Sequence, residues 1–134
     1  MKIVLDTNVL ISGMLNPSGT PGRIVDLLRT DVLQLIVDDR ILAEYTDAIR
    51  RDFFSKYFSR SDREDIIEYL LKNSYYSSCS IVIHDMPDPG DVPFLEMSIT
   101  EDVPLITGNL KHFPEKLRKG AVVLSPAQFL KKFF

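Results

Sequence analysis

The residues best able to do chemistry in this chain are carboxylates set far apart in the sequence. Asp6 closes a short apolar run, Lys2 to Leu5, that reads as a strand. In open parallel sheets, ligands bind outside the carboxyl ends of strands, which is where such an acid would stand. The same aspartate also suits the N-cap of the helix expected after it. Glu44 falls in a helical stretch whose apolar positions are Ile41, Leu42, Tyr45, Ala48 and Ile49. At about 100° per residue it lies on the edge of that face, whereas Asp47 points further toward water. A carboxylate at a core margin needs a partner, although a solvated acid flanking the stripe has the same spacing. Asp85, Asp88 and Asp91 crowd one turn-rich segment before a helix carrying Phe94, Leu95 and Ser98. Crowded acids at low dielectric call for a cation, unless the segment is a solvated turn whose last aspartate caps the helix. Glu96 points away from Phe94 and Ser98 and is expected on the surface.

The rest of the composition narrows the chemistry. One cysteine, Cys79, excludes an intrachain disulfide, and two histidines cannot build a thiolate or imidazole zinc cluster. Any metal must be held by oxygen, which favours Mg²⁺ or Mn²⁺, ions that can bridge phosphate oxygens and activate water. The six glycines are scattered, and no Walker-type or Rossmann glycine motif is present. A net charge of -3 and a pI near 5.3 argue against binding nucleic acid by bulk charge, so any contact must come from a local patch. Arg50, Arg51, Lys56, Arg60 and Arg63, interleaved with Phe53, Phe54, Tyr57 and Phe58, could clamp phosphates and stack unpaired bases. Equally, those aromatics could be core or dimer contacts with the cations as a solvated rim. Lys111, His112, Lys116, Arg118 and Lys119 form a second cluster; His112 could act as a general acid, but a surface histidine is commoner and no role is assigned to it.

The elements that must position these residues alternate along the chain. At 134 residues, with 45% apolar and 26% charged positions, residues 1–134 are expected to form a single domain. No apolar run approaches the roughly 20 residues of a membrane span, and Asp6 and Asn8 interrupt the N-terminal run, so a cytoplasmic protein is expected. After the Lys2 to Leu5 strand come helices over Thr7 to Leu15 and from about Pro21, then a buried strand, Leu33 to Val37. Asp38 or Asp39 caps a helix to about Arg51, and Ser61 or Asp62 caps another. Further strands are predicted over Ser80 to Ile83, Val103 to Ile106 and Ala121 to Leu124, with helices over roughly Val92 to Glu101 and from Ser125. Strand and helix alternate almost to the end. The natural architecture is a three-layer α/β/α sandwich with a central parallel sheet.

Three segments carry a family resemblance. Asp6-Thr7-Asn8-Val9-Leu10-Ile11-Ser12 resembles the first motif of PIN domains. Asp88-Pro89-Gly90-Asp91-Val92-Pro93-Phe94-Leu95-Glu96-Met97 resembles the acidic motif of one PIN subfamily, and Leu105-Ile106-Thr107-Gly108-Asn109 extends the match. Glu44 falls between them, at the helix position where PIN domains place a second acid. The resemblance covers essentially the whole chain and implies metal-dependent nuclease activity, usually on RNA. It carries Asp6, Glu44 and Asp91 over as metal ligands or water-orienting groups, with Asp88 as a further ligand candidate. It also gives Asn8 and Thr107 as polar groups that orient those acids. Asn109 departs from the aspartate of many relatives; an amide can coordinate a metal but adds no charge, which puts a second metal in question. For this subfamily the resemblance further implies a toxin-like ribonuclease paired with an antitoxin protein, often as a homodimer.

The expected activity is therefore a Mg²⁺- or Mn²⁺-dependent endoribonuclease, with Arg50, Arg51, Lys56, Arg60 and Lys111 as the cations for RNA. The alternative keeps the fold but loses efficient catalysis through Asn109, leaving a nucleic-acid- or protein-binding module. A signalling receiver domain would need an acidic pair after the first strand and a lysine beyond a late one. Here Thr7 and Asn8, then Gly108 and Asn109, occupy those places.

Overall fold

The computed structural model describes all residues from Met1 to Phe134. The chain runs β1 (Lys2–Leu5), α1 (Thr7–Leu15), α2 (Thr20–Arg29), β2 (Gln34–Val37), α3 (Asp39–Ile49) and α4 (Arg60–Asn73). It continues through β3 (Tyr75–Tyr76), α5 (Val92–Glu101), β4 (Leu105–Ile106), β5 (Val123–Leu124) and α6 (Pro126–Phe133). The five strands form one sheet in the order β3-β2-β1-β4-β5, and every pairing is parallel. Helices flank it, as the alternation predicted.

The order explains why Asp6 matters. From β1 the chain steps outward to β2 and β3, then returns to the other side of β1 with β4 and β5. The direction of winding reverses between β1 and β4, and this switch point opens a crevice at the carboxyl ends of the two strands. Val4 pairs with Leu105 and Leu5 with Ile106, so Asp6 and Thr107 leave the sheet side by side.

Sequence and burial agree along these strands. Ile3, Val4 and Leu5, Leu35, Ile36 and Val37, and Leu105 and Ile106 are all buried, the continuous apolar pattern of parallel strands covered on both faces. Close packing between α1 and α2 depends on Gly13, where a Cβ would stand 2.5 Å from the Val25 side chain and 2.6 Å from the Pro21 carbonyl oxygen. Asp38 caps α3 by accepting from the Ile41 N–H, and Ser125 caps α6 through a full capping box with Gln128.

Two boundaries differ from the sequence reading. The strand expected over Ser80 to Ile83 is irregular chain, and β3 forms earlier, from Tyr75 and Tyr76. Ile83 is buried there, but its N–H donates to the Glu96 carboxylate at 2.8 Å instead of to a neighbouring strand. Apolar content identified a buried segment and could not say that a side chain would satisfy its backbone. The cap of α4 is Ser59, whose hydroxyl accepts from the Asp62 N–H, rather than Ser61 or Asp62.

Candidate active site at the carboxyl ends of β1 and β4

Asp6 is buried at the switch point. It occupies the N-cap position of α1, yet its side chain makes no capping hydrogen bond. Its Oδ2 instead accepts from the Thr107 hydroxyl at 2.8 Å. Thr107 is fully buried, and its oxygen in turn accepts from the Asn109 N–H at 3.1 Å. Burial pushes the Asp6 carboxyl above its usual range, with the Thr107 hydroxyl, the N–H groups of Asn8 and Thr7, and His112 opposing the shift.

Glu44 is carried to Asp6 by its neighbour in α3. The Tyr45 side chain is fully buried, and its hydroxyl donates to the Leu5 carbonyl at 2.5 Å, pinning α3 to the end of β1. Glu44 is half-buried, and its carboxyl is raised by that burial, by Asp6 and by Asp88. Thr7, whose buried hydroxyl has no hydrogen-bond partner of good geometry, and Arg51 pull it the other way.

The third acid enters from a tight turn. Asp88 is exposed and accepts from the Gly90 N–H at 2.8 Å, closing a 3-10 turn, Pro89–Asp91, that delivers Asp91 to the head of α5. Asp91 is buried and makes no capping hydrogen bond. Its carboxyl is pushed up to about 6 by burial, then by Asp6, Asp88 and Glu44, while His112 opposes. Oδ2 of Asp91 lies 3.3 Å from Nδ1 of His112, too poorly aligned for a good hydrogen bond, and is a buried oxygen without one.

The fold thus gathers Asp6, Glu44, Asp88 and Asp91 at one crevice; burial raises Asp6, Glu44 and Asp91, and repulsion from neighbouring acids raises Glu44 and Asp91 further. No three acidic, imidazole or thiol side chains stand as a ready-made cage for an ion. By chemistry the donors nevertheless suit a hard divalent cation: all are oxygens, they are short of positive charge, and one buried oxygen lacks a donor.

The other predicted residues divide. Thr107 supports Asp6 directly, whereas the Asn8 side chain is exposed and lines one concavity with Ser12, Gly108 and Asn109. Asn109 is exposed and contacts His112 rather than an acid, its Nδ2 standing 2.9 Å from the ring Nε2. His112, unassigned from sequence, sits beside two site residues because a 3-10 turn, Leu110–His112, folds it back after Asn109. The Thr-Gly-Asn segment followed within three residues by a histidine was the available signal.

Among the cations, Arg50 is bound to Glu64 of α4 through two contacts, at 2.9 and 2.8 Å. Arg118 donates to the carbonyls of Phe113 and Leu110 and holds its own loop. Arg51, Lys56, Arg60 and Lys111 remain exposed, as do Phe53 and Tyr57, while Phe54 is buried. Glu96 departs most from expectation: it is buried, not on the surface, and accepts from Arg40 at 2.7 Å as well as from the Ile83 N–H. The apolar positions nearest it gave no sign of a buried partner arriving from α3.

The PIN domain family profile matches residues 2–111. The chain belongs to the PIN domain family. A relative in Methanocaldococcus jannaschii, an uncharacterized protein, is 30% identical over 115 residues, spanning 81% of this chain and 71% of the relative. Two solved structures share the PIN fold of this chain. A chain of VapBC2 from Rickettsia felis, bound to a DNA fragment from the promoter, aligns with a TM-score of 0.63 at 16% identity, covering 93% of this chain and 98% of that one. A chain of VapBC-1 from nontypeable Haemophilus influenzae aligns with a TM-score of 0.60 at 16% identity, covering 95% and 99%. No helix of the PIN chain is long and apolar enough to cross a membrane.

Proposed function

We propose that this PIN chain is a Mg²⁺- or Mn²⁺-dependent endoribonuclease, folded as one domain over residues 1–134 and acting in the cytoplasm as the toxin of a toxin-antitoxin pair. The observation that carries the reading is the convergence of Asp6, Glu44 and Asp88 on Asp91, whose buried carboxylate oxygen has no donor of good geometry. Clustered, under-compensated carboxylates in a crevice are where perturbed groups mark function. Asp6, Glu44 and Asp91 would hold the ion, with Asp88 and the Asn109 amide at its margin, and Thr107 would keep Asp6 turned toward it. The bound ion supplies Lewis acidity toward phosphate oxygens and water. The protein's own part is to bring a strand of RNA to the crevice: Arg51 and Lys111 on backbone phosphates, Lys56 and Arg60 further out, Phe53 and Tyr57 against unpaired bases. Arg50, engaged with Glu64, contributes through that ion pair rather than as a free cation.

An antitoxin partner is supported by the likeness in fold to chains of two VapBC complexes, and a homodimer is proposed with it. A second reading, a PIN-fold module with weakened catalysis, draws on Asn109, which adds no charge and spends its amide on His112.

Incubating the protein with mixed labelled RNAs in Mn²⁺, Mg²⁺ or EDTA, beside Asp6→Asn, separates the two. Cleavage that requires metal and disappears in the variant supports the nuclease. A folded protein that binds Mn²⁺ and cuts none of a broad RNA panel supports the binding module.

A further inference from the structure

His112 is the one ionisable side chain at the crevice that is neither an acid nor a free surface cation, and its two ring nitrogens face different partners. On one side, Nδ2 of Asn109 stands 2.9 Å from Nε2. On the other, Nδ1 stands 3.3 Å from Oδ2 of Asp91, the buried oxygen that lacks a good donor. A carboxamide nitrogen only donates, so a hydrogen bond from Asn109 requires Nε2 to be the unprotonated nitrogen. In a neutral imidazole the proton then resides on Nδ1, facing Asp91. The contact to Asn109 thereby fixes which ring nitrogen can donate.

We propose that Asn109 and His112 form a positioning relay for Asp91, in which Asn109 sets the Nδ1–H tautomer of His112 and that N–H fixes the orientation of the Asp91 carboxylate. This rests on the nuclease reading for its purpose, though not for its geometry. Orientation matters because Asp91 lacks any other tether: it makes no capping hydrogen bond, unlike Asp6, which Thr107 holds. A small turn of the ring that aligned Nδ1–H with Oδ2 would hold that oxygen and leave the second one for the acid cluster. The relay also gives Asn109 a use that an aspartate could not fill. A carboxylate at that position would accept from Nε2–H and reverse the tautomer preference.

Two substitutions dissect the ring. The amide nitrogen in His112→Asn falls near the place of Nδ1 and keeps a donor for Asp91, whereas that in His112→Gln falls near Nε2 and keeps only the Asn109 side. The first measurement is the nitrogen-15 spectrum of His112 at a pH well above the ordinary histidine range. The relay requires the Nδ1–H tautomer in the wild type and its loss as the dominant form in Asn109→Ala. The second is calorimetric titration with Mn²⁺: His112→Gln weakens binding by about 10- to 100-fold, the usual effect of losing a partner that orients a ligand, while His112→Asn stays near wild type. A dominant Nε2–H tautomer overturns the proposal. So does equal loss in both variants, or loss that tracks a fall in melting temperature, which would make the ring a packing group. Both readouts are independent of turnover. A wild-type protein that cuts no RNA counts against the nuclease reading, and the spectrum still decides the relay.

Discussion

Two buried carboxylates, Glu96 within α5 and Asp91 at its N-cap, have opposite surroundings. Glu96 receives Arg40 at 2.7 Å and the Ile83 N–H at 2.8 Å, and Arg40 is itself anchored to Asp38 at 2.9 Å. This cluster ties α3 to α5 and to the irregular chain between β3 and α5. About one turn toward the N-terminus of α5, Asp91 receives only a poorly aligned imidazole and faces other acids. Both lie on the seam of α3 and α5, yet one charge is neutralised and the other is left under-compensated. The difference separates what holds the helices together from what they hold in place.

If the contrast is sound, the two acids respond to neutralisation with opposite signs. Glu96→Ala strands Arg40 and the Ile83 N–H and should cost about 3 kcal/mol in urea unfolding, the lower end for a broken buried pair because Arg40 is half exposed. An unchanged unfolding midpoint would show that the cluster does not bind the seam. Asp91→Asn removes a charge the fold disfavours and should stabilise the metal-free protein by about 1–2 kcal/mol at neutral pH while abolishing cleavage. A destabilised variant would mean that His112 already compensates the carboxylate.

The pH dependence sharpens the same point. Asp91 is raised to about 6, so between its unfolded value near 4 and that folded value the native state binds more protons than the unfolded one. Metal-free stability should therefore rise as pH falls from 7 through 6 toward 4, and Asp6 and Glu44, also raised, act in the same direction. The slope should flatten in Asp91→Asn, which thermal melts across that range would detect. The smallest expected effect is on RNA: Arg51→Ala should weaken affinity in a filter-binding assay, and Arg50→Ala should do so less, because Arg50 already serves Glu64.

Much of the site was legible because period and position carry it. Asp6 follows a four-residue apolar strand, and the alternation of elements fixed a parallel sheet whose strand ends are the natural crevice. Glu44 at the margin of an apolar face became informative once Tyr45 beside it was tied to Leu5. Other features depend on contacts between residues distant in sequence. Nothing local announces that Arg40 will reach Glu96 across 56 positions, or that Ile83 will give its N–H to a side chain instead of a strand. His112 was visible as a residue and opaque as a role, since its meaning lies in facing Asn109 on one side and Asp91 on the other.

The central claim, that the under-compensated acids are a cation site, is tested most directly by melting the protein with and without Mn²⁺ at neutral pH, alongside Asp6→Asn and Asp91→Asn. At a hundredfold excess over the dissociation constant, binding to the folded state alone should raise the wild-type melting temperature by roughly 5–10 °C. Both variants should lose most of that gain. A wild-type midpoint that Mn²⁺ leaves unmoved, or a rise that both variants share in full, would contradict the account.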